Sequence, residues 1–261
     1  MTAPPPPSTI AQLAKLIDHS LLHPSLTDAE IKKGLEIAKQ YGVATACIKP
    51  YSIPQAIEIL SGTGVGICVV IAFPHGNSTT PVKIYEATQA MSSLASFISS
   101  GGSNGSRGLV EIDMVINIGK ALSGEWGYVE DEITAINDVV IKSGGALKVI
   151  FENDFLEVDD SHIRTLCAIC TRAKVAFVKT STGFGFVKDK NLPFYSYKGA
   201  TVEHIKVMKE SVGEGVQIKA AGGIRSLGQL LDAWAVGATR FGATATEGIL
   251  REAREKGWPE K

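Results

Sequence analysis

Eight short apolar runs, each followed by a helical pattern or a glycine-rich turn into one, constrain this chain more than any other feature. They fall at Leu16–Leu22, Val43–Ile48, Gly66–Phe73, Leu109–Ile116, Leu147–Glu152, Ala176–Lys179, around Lys219 and at Ala238–Ala243. Runs of this length and composition read as strands buried on both faces. Strand alternating with helix predicts a parallel sheet. At 261 residues the expected α/β architecture is one (β/α)8 TIM barrel, which usually takes ~250 residues. A doubly wound open sheet is the alternative, but the G-x-G-x-x-G that usually follows its first strand is missing.

Local signals fit that frame. A short helix is expected over Ile10–Leu16. Thr27 with Glu30 three residues on has the capping-box spacing, and Gly42 stops that helix after about Gln40. Helices are also predicted over Pro81–Ile98, Ile163–Ala173 and Thr201–Ser211, with Ser226 capping another. Cys167 and Cys170 lie inside the second of these, where their spacing places them on one helix face. Residues 1–8, with the run Pro4–Pro7, are expected to form a disordered tail, and residues 9–261 a single catalytic domain. Ser99–Gly108 has a flexible linker composition and falls between a helix and a strand, on the barrel's N-terminal face. Phe184–Lys198 follows the sixth strand on the opposite face and carries five aromatics, the pattern of a cover over a site.

Charges embedded in strands point to chemistry. Lys179 ends an apolar strand and precedes Thr180-Ser181-Thr182-Gly183. An unpaired ammonium there costs several kcal/mol or loses its proton, and a neutral amine can attack a carbonyl to form a Schiff base. Snorkelling into solvent is the other reading of that stretch alone. Lys219 repeats the pattern before Gly222-Gly223, and two ammonium groups on neighbouring strands disfavour each other's charge. Glu111 and Asp113 share a strand face, with Asp113 near the carboxyl end. Lys148 and Glu152 share a face on the next strand and are expected to offset one another. Asp18 in the first strand needs a partner too. Gly222-Gly223 and Gly242-Ala243-Thr244 follow the last two strands and precede helices, the usual barrel phosphate site, with Arg225 as an added cation.

With 26 basic and 27 acidic residues no global field favours nucleic acid or a membrane surface. A small-molecule partner is expected. No apolar run is long enough to span a bilayer, and four cysteines make no disulfide framework, which points to reduced thiols and the cytoplasm. The five histidines are scattered, so no metal site and no cofactor is expected.

Three segments together resemble the deoxyribose-phosphate aldolases: Lys179-Thr180-Ser181-Thr182-Gly183-Phe184-Gly185, Lys219-Ala220-Ala221-Gly222-Gly223-Ile224-Arg225 and Glu111-Ile112-Asp113-Met114-Val115. Leu16-Ile17-Asp18-His19 and Ala46-Cys47-Ile48-Lys49-Pro50 add to the match, which spans the core. The resemblance implies a class I aldolase that reversibly cleaves 2-deoxy-D-ribose 5-phosphate into acetaldehyde and D-glyceraldehyde 3-phosphate. It implies Lys179 as the Schiff-base lysine, Lys219 as the neighbouring cation and Asp113 as a proton-transfer partner. It further implies substrate contacts from Asp18, Cys47, Thr180, Gly183, Gly222, Gly223, Arg225 and Thr244, with Asp18 pairing Lys219 and Cys47 lining the strand ends. The partners implied are a phosphorylated sugar and an aldehyde, with a homodimer as the candidate assembly. Two departures stand out. Some members carry a lysine where this chain has Phe184 and paired serines where it has Thr244-Ala245, which implies a weaker hold on phosphate. Some also end in a tyrosine that assists proton transfer, whereas this sequence ends Gly257-Trp258-Pro259-Glu260-Lys261. A metal-dependent aldolase, another Schiff-base aldolase of a small phosphorylated sugar and a non-catalytic phosphate-binding barrel are the competing readings.

Overall fold

The computed structural model describes residues 6–100, 109–156, 160–188 and 193–261. Eight parallel strands close into a barrel: β1 (Ile17–Ser20), β2 (Thr45–Ile48), β3 (Gly66–Ile71), β4 (Val110–Val115), β5 (Ala146–Ile150), β6 (Phe177–Lys179), β7 (Gln217–Ala221) and β8 (Arg240–Ala243). Each strand pairs with the next, and β8 returns to β1 in the register Ile17 to Phe241. This is the (β/α)8 barrel that the alternation predicts. The helices are α1 (Ile10–Ala14), α2 (Asp28–Tyr41), α3 (Ile53–Leu60), α4 (Thr80–Ser93), α5 (Ala95–Ser100) and α6 (Ile118–Leu122). They continue with α7 (Trp126–Lys142), α8 (Ser161–Arg172), α9 (Val202–Ser211), α10 (Leu227–Ala235) and α11 (Thr246–Glu255). Among the described residues no helix is long and apolar enough to cross a membrane.

Local chemistry sets most boundaries. The Thr27 backbone N–H donates to the Glu30 carboxylate at 2.8 Å while the Thr27 side chain accepts from the Glu30 backbone, and Gly42 ends α2 at a left-handed φ of 60°. The single helix expected over Pro81–Ile98 is two helices. Leu94, fully buried, is the C-cap of the first, its φ of -92° and ψ of -1° loosening the turn between them. The strand expected over Leu147–Glu152 stops at Ile150, and Glu152 sits beyond it at a left-handed φ of 58°. Pro7 is buried, and the Ser8 N–H donates to Gln12 Oε1 at 2.9 Å. Residues 1–5 of the expected tail, and 101–108 of the expected linker, lie outside the described residues. In the long segment after β6, Val187–Lys188 pairs antiparallel with Tyr195–Ser196 as a small hairpin.

Strand alternation divides the side chains into two sets. The outward set, such as Ile67, Val69, Ile71, Ile112, Met114 and Val149, joins the helices in one continuous apolar core. Each such side chain contributes roughly 1.5–3 kcal/mol by leaving water. The inward set is largely polar: Asp18, Thr45, Glu111, Asp113, Lys148, Lys179 and Lys219 are all buried. The apolar jacket thus leaves the barrel interior for chemistry. Helix α1 packs Ile10, Leu13 and Ala14 into the core. Its first amides are clasped by the end of the chain, with Ile10 N–H to Pro259 O at 2.8 Å and Ala11 N–H to Glu260 O at 3.1 Å.

Candidate active site

The interior charges form one connected cluster. Asp113 Oδ2 accepts from Lys179 Nζ and Lys219 Nζ, each at 2.7 Å, and its Oδ1 accepts from Lys148 Nζ at 2.9 Å and Cys68 Sγ at 3.0 Å. Lys219 Nζ also lies 2.6 Å from Asp18 Oδ2. Arg240 Nη1 bridges Asp18 Oδ1 at 2.8 Å and Glu111 Oε2 at 2.9 Å, and Lys148 contacts Glu111 as well. Strand register explains the convergence, because Lys179 is paired with Lys219 and Asp113 with Lys148. Three carboxylates, Asp18, Glu111 and Asp113, therefore face Lys148, Lys179, Lys219 and Arg240. Burial acts to raise the Asp113 pKa, but Lys148, Lys179 and Lys219 outweigh it and hold it well below the ordinary carboxylate value. Burial acts equally to strip Lys148 and Lys219 of their protons. Asp113 and Asp18 reverse that and hold both above an ordinary lysine, so both are fixed cations.

Above this cluster a cavity of about 330 Å3 opens at the carboxyl ends of the strands. Lys179 borders it, together with Thr182, Gly183, Phe184, Phe186 and Tyr197. Gly222, Gly223, Arg225 and Thr244, from the segments after the last two strands, also line it. Gly183, Gly222 and Gly223 have φ of 86°, 91° and 84°, where a side chain is strained. At Gly222 a Cβ would also stand 3.0 Å from the Gly199 backbone. The two helix N-termini behind these loops differ. That of α10 is closed by its own capping box, in which Gln229 Oε1 accepts from Arg225 N–H at 2.9 Å and Ser226 N–H at 3.2 Å. The first turn of α11 carries no side-chain cap, which leaves it the better placed of the two for an anion. Arg225 is exposed at the rim and donates to Tyr197 Oη at 3.4 Å.

A lysine at the floor of a barrel's catalytic face, paired with a second lysine over one carboxylate, is the constellation that the sequence comparisons bear on. No family model matched the sequence. The chain is 42% identical over 244 residues to a deoxyribose-phosphate aldolase of Rhodopirellula baltica, with 94% of this chain and 90% of the relative covered. The chain belongs to the deoxyribose-phosphate aldolase family. It is an aldolase, hence a lyase. A second such aldolase, from Caldanaerobacter subterraneus subsp. tengcongensis, is 39% identical over 250 residues and covered at 96%, against 95% of this chain. Among solved structures, the deoxyribose phosphate aldolase of Aeropyrum pernix, described as tetrameric, matches at a TM-score of 0.76 and 27% identity. The match covers 95% of this chain and 92% of that one.

Within this aldolase, the residues singled out in the sequence divide into two groups. Lys179, Gly183, Gly222, Gly223, Arg225 and Thr244 line the cavity. Asp18, Asp113 and Lys219 lie beneath Lys179 in the sealed cluster. Cys47 is fully buried there too, its Sγ 4.0 Å from Asp113 Oδ2. Thr180 does not face the cavity: its hydroxyl donates to Ala221 O at 2.9 Å and accepts from Ala221 N–H at 3.0 Å, which stitches β6 to β7. The expected Lys148–Glu152 pair is not formed. Lys148 is committed to Asp113 and Glu111, while Glu152, past the strand end, holds the Thr182 N–H and hydroxyl and so fixes the turn after Lys179. Arg240 is a cluster member that sequence reasoning passed over, although a charge inside β8 is the same signal that marked Lys219. Cys47, Cys68 and Asp113 bring one ligand atom each within 4.8 Å of one another, as do Asp18, Cys68 and Glu111. Their carboxylates already hold lysine or arginine groups, which repel a metal cation.

Two buried groups give the enzyme opposing pH responses. Burial lowers the pKa of His19, whose Nδ1 lies 2.8 Å from Thr246 Oγ1, from 6.5 to about 4. Burial raises that of Glu152 from 4.5 to about 7, against the opposing pull of Thr182. Below pH 6.5 the unfolded chain gains a histidine proton that the fold refuses, so stability falls toward pH 4. Above pH 4.5 the unfolded chain releases a proton that folded Glu152 keeps, so stability falls toward pH 7. Each difference is worth about 3 kcal/mol over its window. Between pH 4.5 and 6.5 the two nearly cancel. Glu152→Gln is expected to leave the His19 slope uncompensated, so its stability relative to the parent should climb with pH by up to about 1.4 kcal/mol per unit. Urea unfolding at pH 5, 6 and 7 reads this directly, and parallel curves would remove Glu152 from the account.

Proposed function

We propose that the protein reversibly cleaves 2-deoxy-D-ribose 5-phosphate into acetaldehyde and D-glyceraldehyde 3-phosphate through a Schiff base on Lys179. One observation carries the reading: of the interior lysines, Lys179 borders the open cavity while sharing Asp113 Oδ2 with the sealed Lys219. For the amine to attack, Lys179 gives up its proton, and three cations then face three carboxylates in the cluster. The amine then attacks the sugar's C1 carbonyl, a C–N bond forms, and the oxygen leaves as water. Loss of the C3 hydroxyl proton breaks the C2–C3 bond and releases the three-carbon aldehyde. The electron pair goes to an enamine, which takes a proton at C2 and is hydrolysed to acetaldehyde. Asp113 is the group that relays these protons, through water, and Lys219 keeps its charge throughout. The uncapped turn of α11, with Gly222, Gly223, Thr244 and Arg225, receives the phosphate.

Incubation with acetaldehyde and cyanoborohydride tests this. A two-carbon adduct mapping to Lys179 is expected; an adduct confined to Lys219 or Lys148, or none, would overturn the assignment. The phosphate site has its own test, since Gly223 adopts φ 84° beside the cavity. Gly223→Val is expected to raise KM for the phosphorylated sugar by about tenfold or more and to change that for plain deoxyribose far less. Equal loss on both substrates would reduce the glycine to a folding role. The four cysteines are free and buried, which suits a reducing cytoplasm, and we read residues 9–261 as one catalytic domain. Sedimentation of the purified protein distinguishes the homodimer we infer from a monomer or a higher assembly.

A further inference from the structure

A second chamber adjoins the active-site cavity and serves no step of the reaction. It is a half-open pocket of about 200 Å3 at the carboxyl ends of β2 and β3, and its walls are mainly Leu22, Pro24, Val70, Phe73 and Phe184. Leu22 and Phe184 line both spaces, so the two meet at these side chains. Phe184 stands between them: its backbone N–H donates to Thr182 Oγ1 at 2.9 Å, and its ring, free to turn about its own side-chain bonds, stands edge-on to Phe73 with centroids 5.6 Å apart. Val70 is paired in register with Asp113, whose carboxylate touches Lys179 Nζ. The polar groups at the chamber's edge are already bonded. Lys49 Nζ donates to His23 O at 2.7 Å, and Glu86 Oε2 accepts from Ala72 N–H at 2.8 Å. What remains is a largely apolar space adjoining the cavity that Lys179 lines. An apolar cavity of about 150 Å3 is enough to take a benzene molecule.

We propose that this chamber is a subsite for the alkyl chain of a linear aldehyde bound to Lys179, so that the enzyme accepts aldehydes well beyond two carbons. At about 30 Å3 for a water-sized group, the space holds a chain of roughly six carbons. The proposal rests on Lys179 as the Schiff-base former. The covalent step is the ordinary one: the amine adds to the aldehyde carbon, the carbonyl oxygen leaves as water, and the iminium carries the chain past Phe184 into the chamber. Each methylene that leaves water there favours binding by roughly fourfold, which makes chain length a sensitive readout.

The test is a competition. Equal concentrations of acetaldehyde and hexanal are incubated with the full-length protein and cyanoborohydride, whose hydride fixes either iminium, and the adducts on Lys179 are quantified by peptide mapping. In the parent, hexanal is expected to be trapped in preference to acetaldehyde. Val70→Phe fills the chamber and should cut the hexanal-to-acetaldehyde ratio by about tenfold or more, with the acetaldehyde rate within about twofold of the parent. Val70→Ala enlarges the chamber and should raise the ratio of octanal to hexanal, which keeps the proposal open to refutation if the phenylalanine variant fails to fold. An acetaldehyde adduct without a hexanal adduct, or ratios indifferent to both substitutions, would overturn the subsite alone. No adduct of either aldehyde at Lys179 would overturn the Schiff-base reading and the subsite with it.

Discussion

Lys179→Met is expected to lower turnover by at least about ten-thousandfold while leaving the unfolding free energy within about 1 kcal/mol of the parent. The chemical loss follows from the missing amine, since Lys148 and Lys219 are sealed below the cavity and held as cations. The stability follows from counting charges. Without Lys179 the cluster retains Lys148, Lys219 and Arg240 against Asp18, Glu111 and Asp113, and Asp113 Oδ2 keeps its 2.7 Å contact with Lys219. Methionine fills similar volume without a charge. Steady-state cleavage and urea unfolding measure the two quantities separately. Turnover within tenfold of the parent would move the nucleophile elsewhere, and a stability loss above about 3 kcal/mol would make the Lys179–Asp113 pair a structural brace.

Asp113→Asn should fail on both counts. It leaves two carboxylates facing four cations, and removing one partner from a buried ion cluster typically costs about 3–5 kcal/mol. The amide also cannot exchange protons, so turnover should fall by roughly a hundred- to ten-thousandfold. The pH sign is fixed by the depressed Asp113 pKa. Its contribution is present above the ordinary carboxylate value and is lost only as acid titrates the folded group, well below pH 4. Combining the two substitutions leaves two carboxylates and three cations, so Lys179→Met should restore part of the stability that Asp113→Asn removes. Strict additivity of the two changes would show that the lysine and the aspartate are energetically independent despite their contact.

Much of this arrangement is legible in the chain because strand alternation is a rigid rule. Lys179, Lys219, Glu111 and Asp113 stand out as charges in apolar runs, and period-two spacing alone puts the last two on one face. Asp18 is marked in the same way. Sequence reading failed where backbone geometry departs from a simple repeat. Glu152 counts as an inward strand residue by spacing, but the left-handed turn at its own φ redirects it to Thr182. Leu94 continues the helical pattern of hydrophobic residues, yet α4 ends there, and no sequence signal marks the loosened turn at its φ of -92° and ψ of -1°. Thr180 sits in the most suggestive motif of the chain, yet its hydroxyl is spent on the β7 backbone. The apolar side chamber has no local signature at all, since its walls come from β3, α4, the segments after the first three strands and Phe184, brought together only by barrel closure.

That closure has a kinetic meaning. The β1–β8 seam pairs Asp18 with Gly242 and brings the side chains of Asp18 and Arg240, 222 positions apart, into contact, and the same seam is held by His19 with Thr246 and by the clasp between α1 and Pro259. Contacts so distant in sequence carry the largest loop-closure entropy, so they form late and open early. Asp18 and Arg240 stand on opposite sides of this seam, which means that the charge cluster cannot be complete in a chain whose last strand is undocked. Folding and competence are then one event. Amide exchange at Ile10 and Ala11, whose N–H groups are hydrogen-bonded in the clasp, should report the opening frequency of the seam, and every opening is an interval in which Lys219 loses Asp18 and the enzyme is silent.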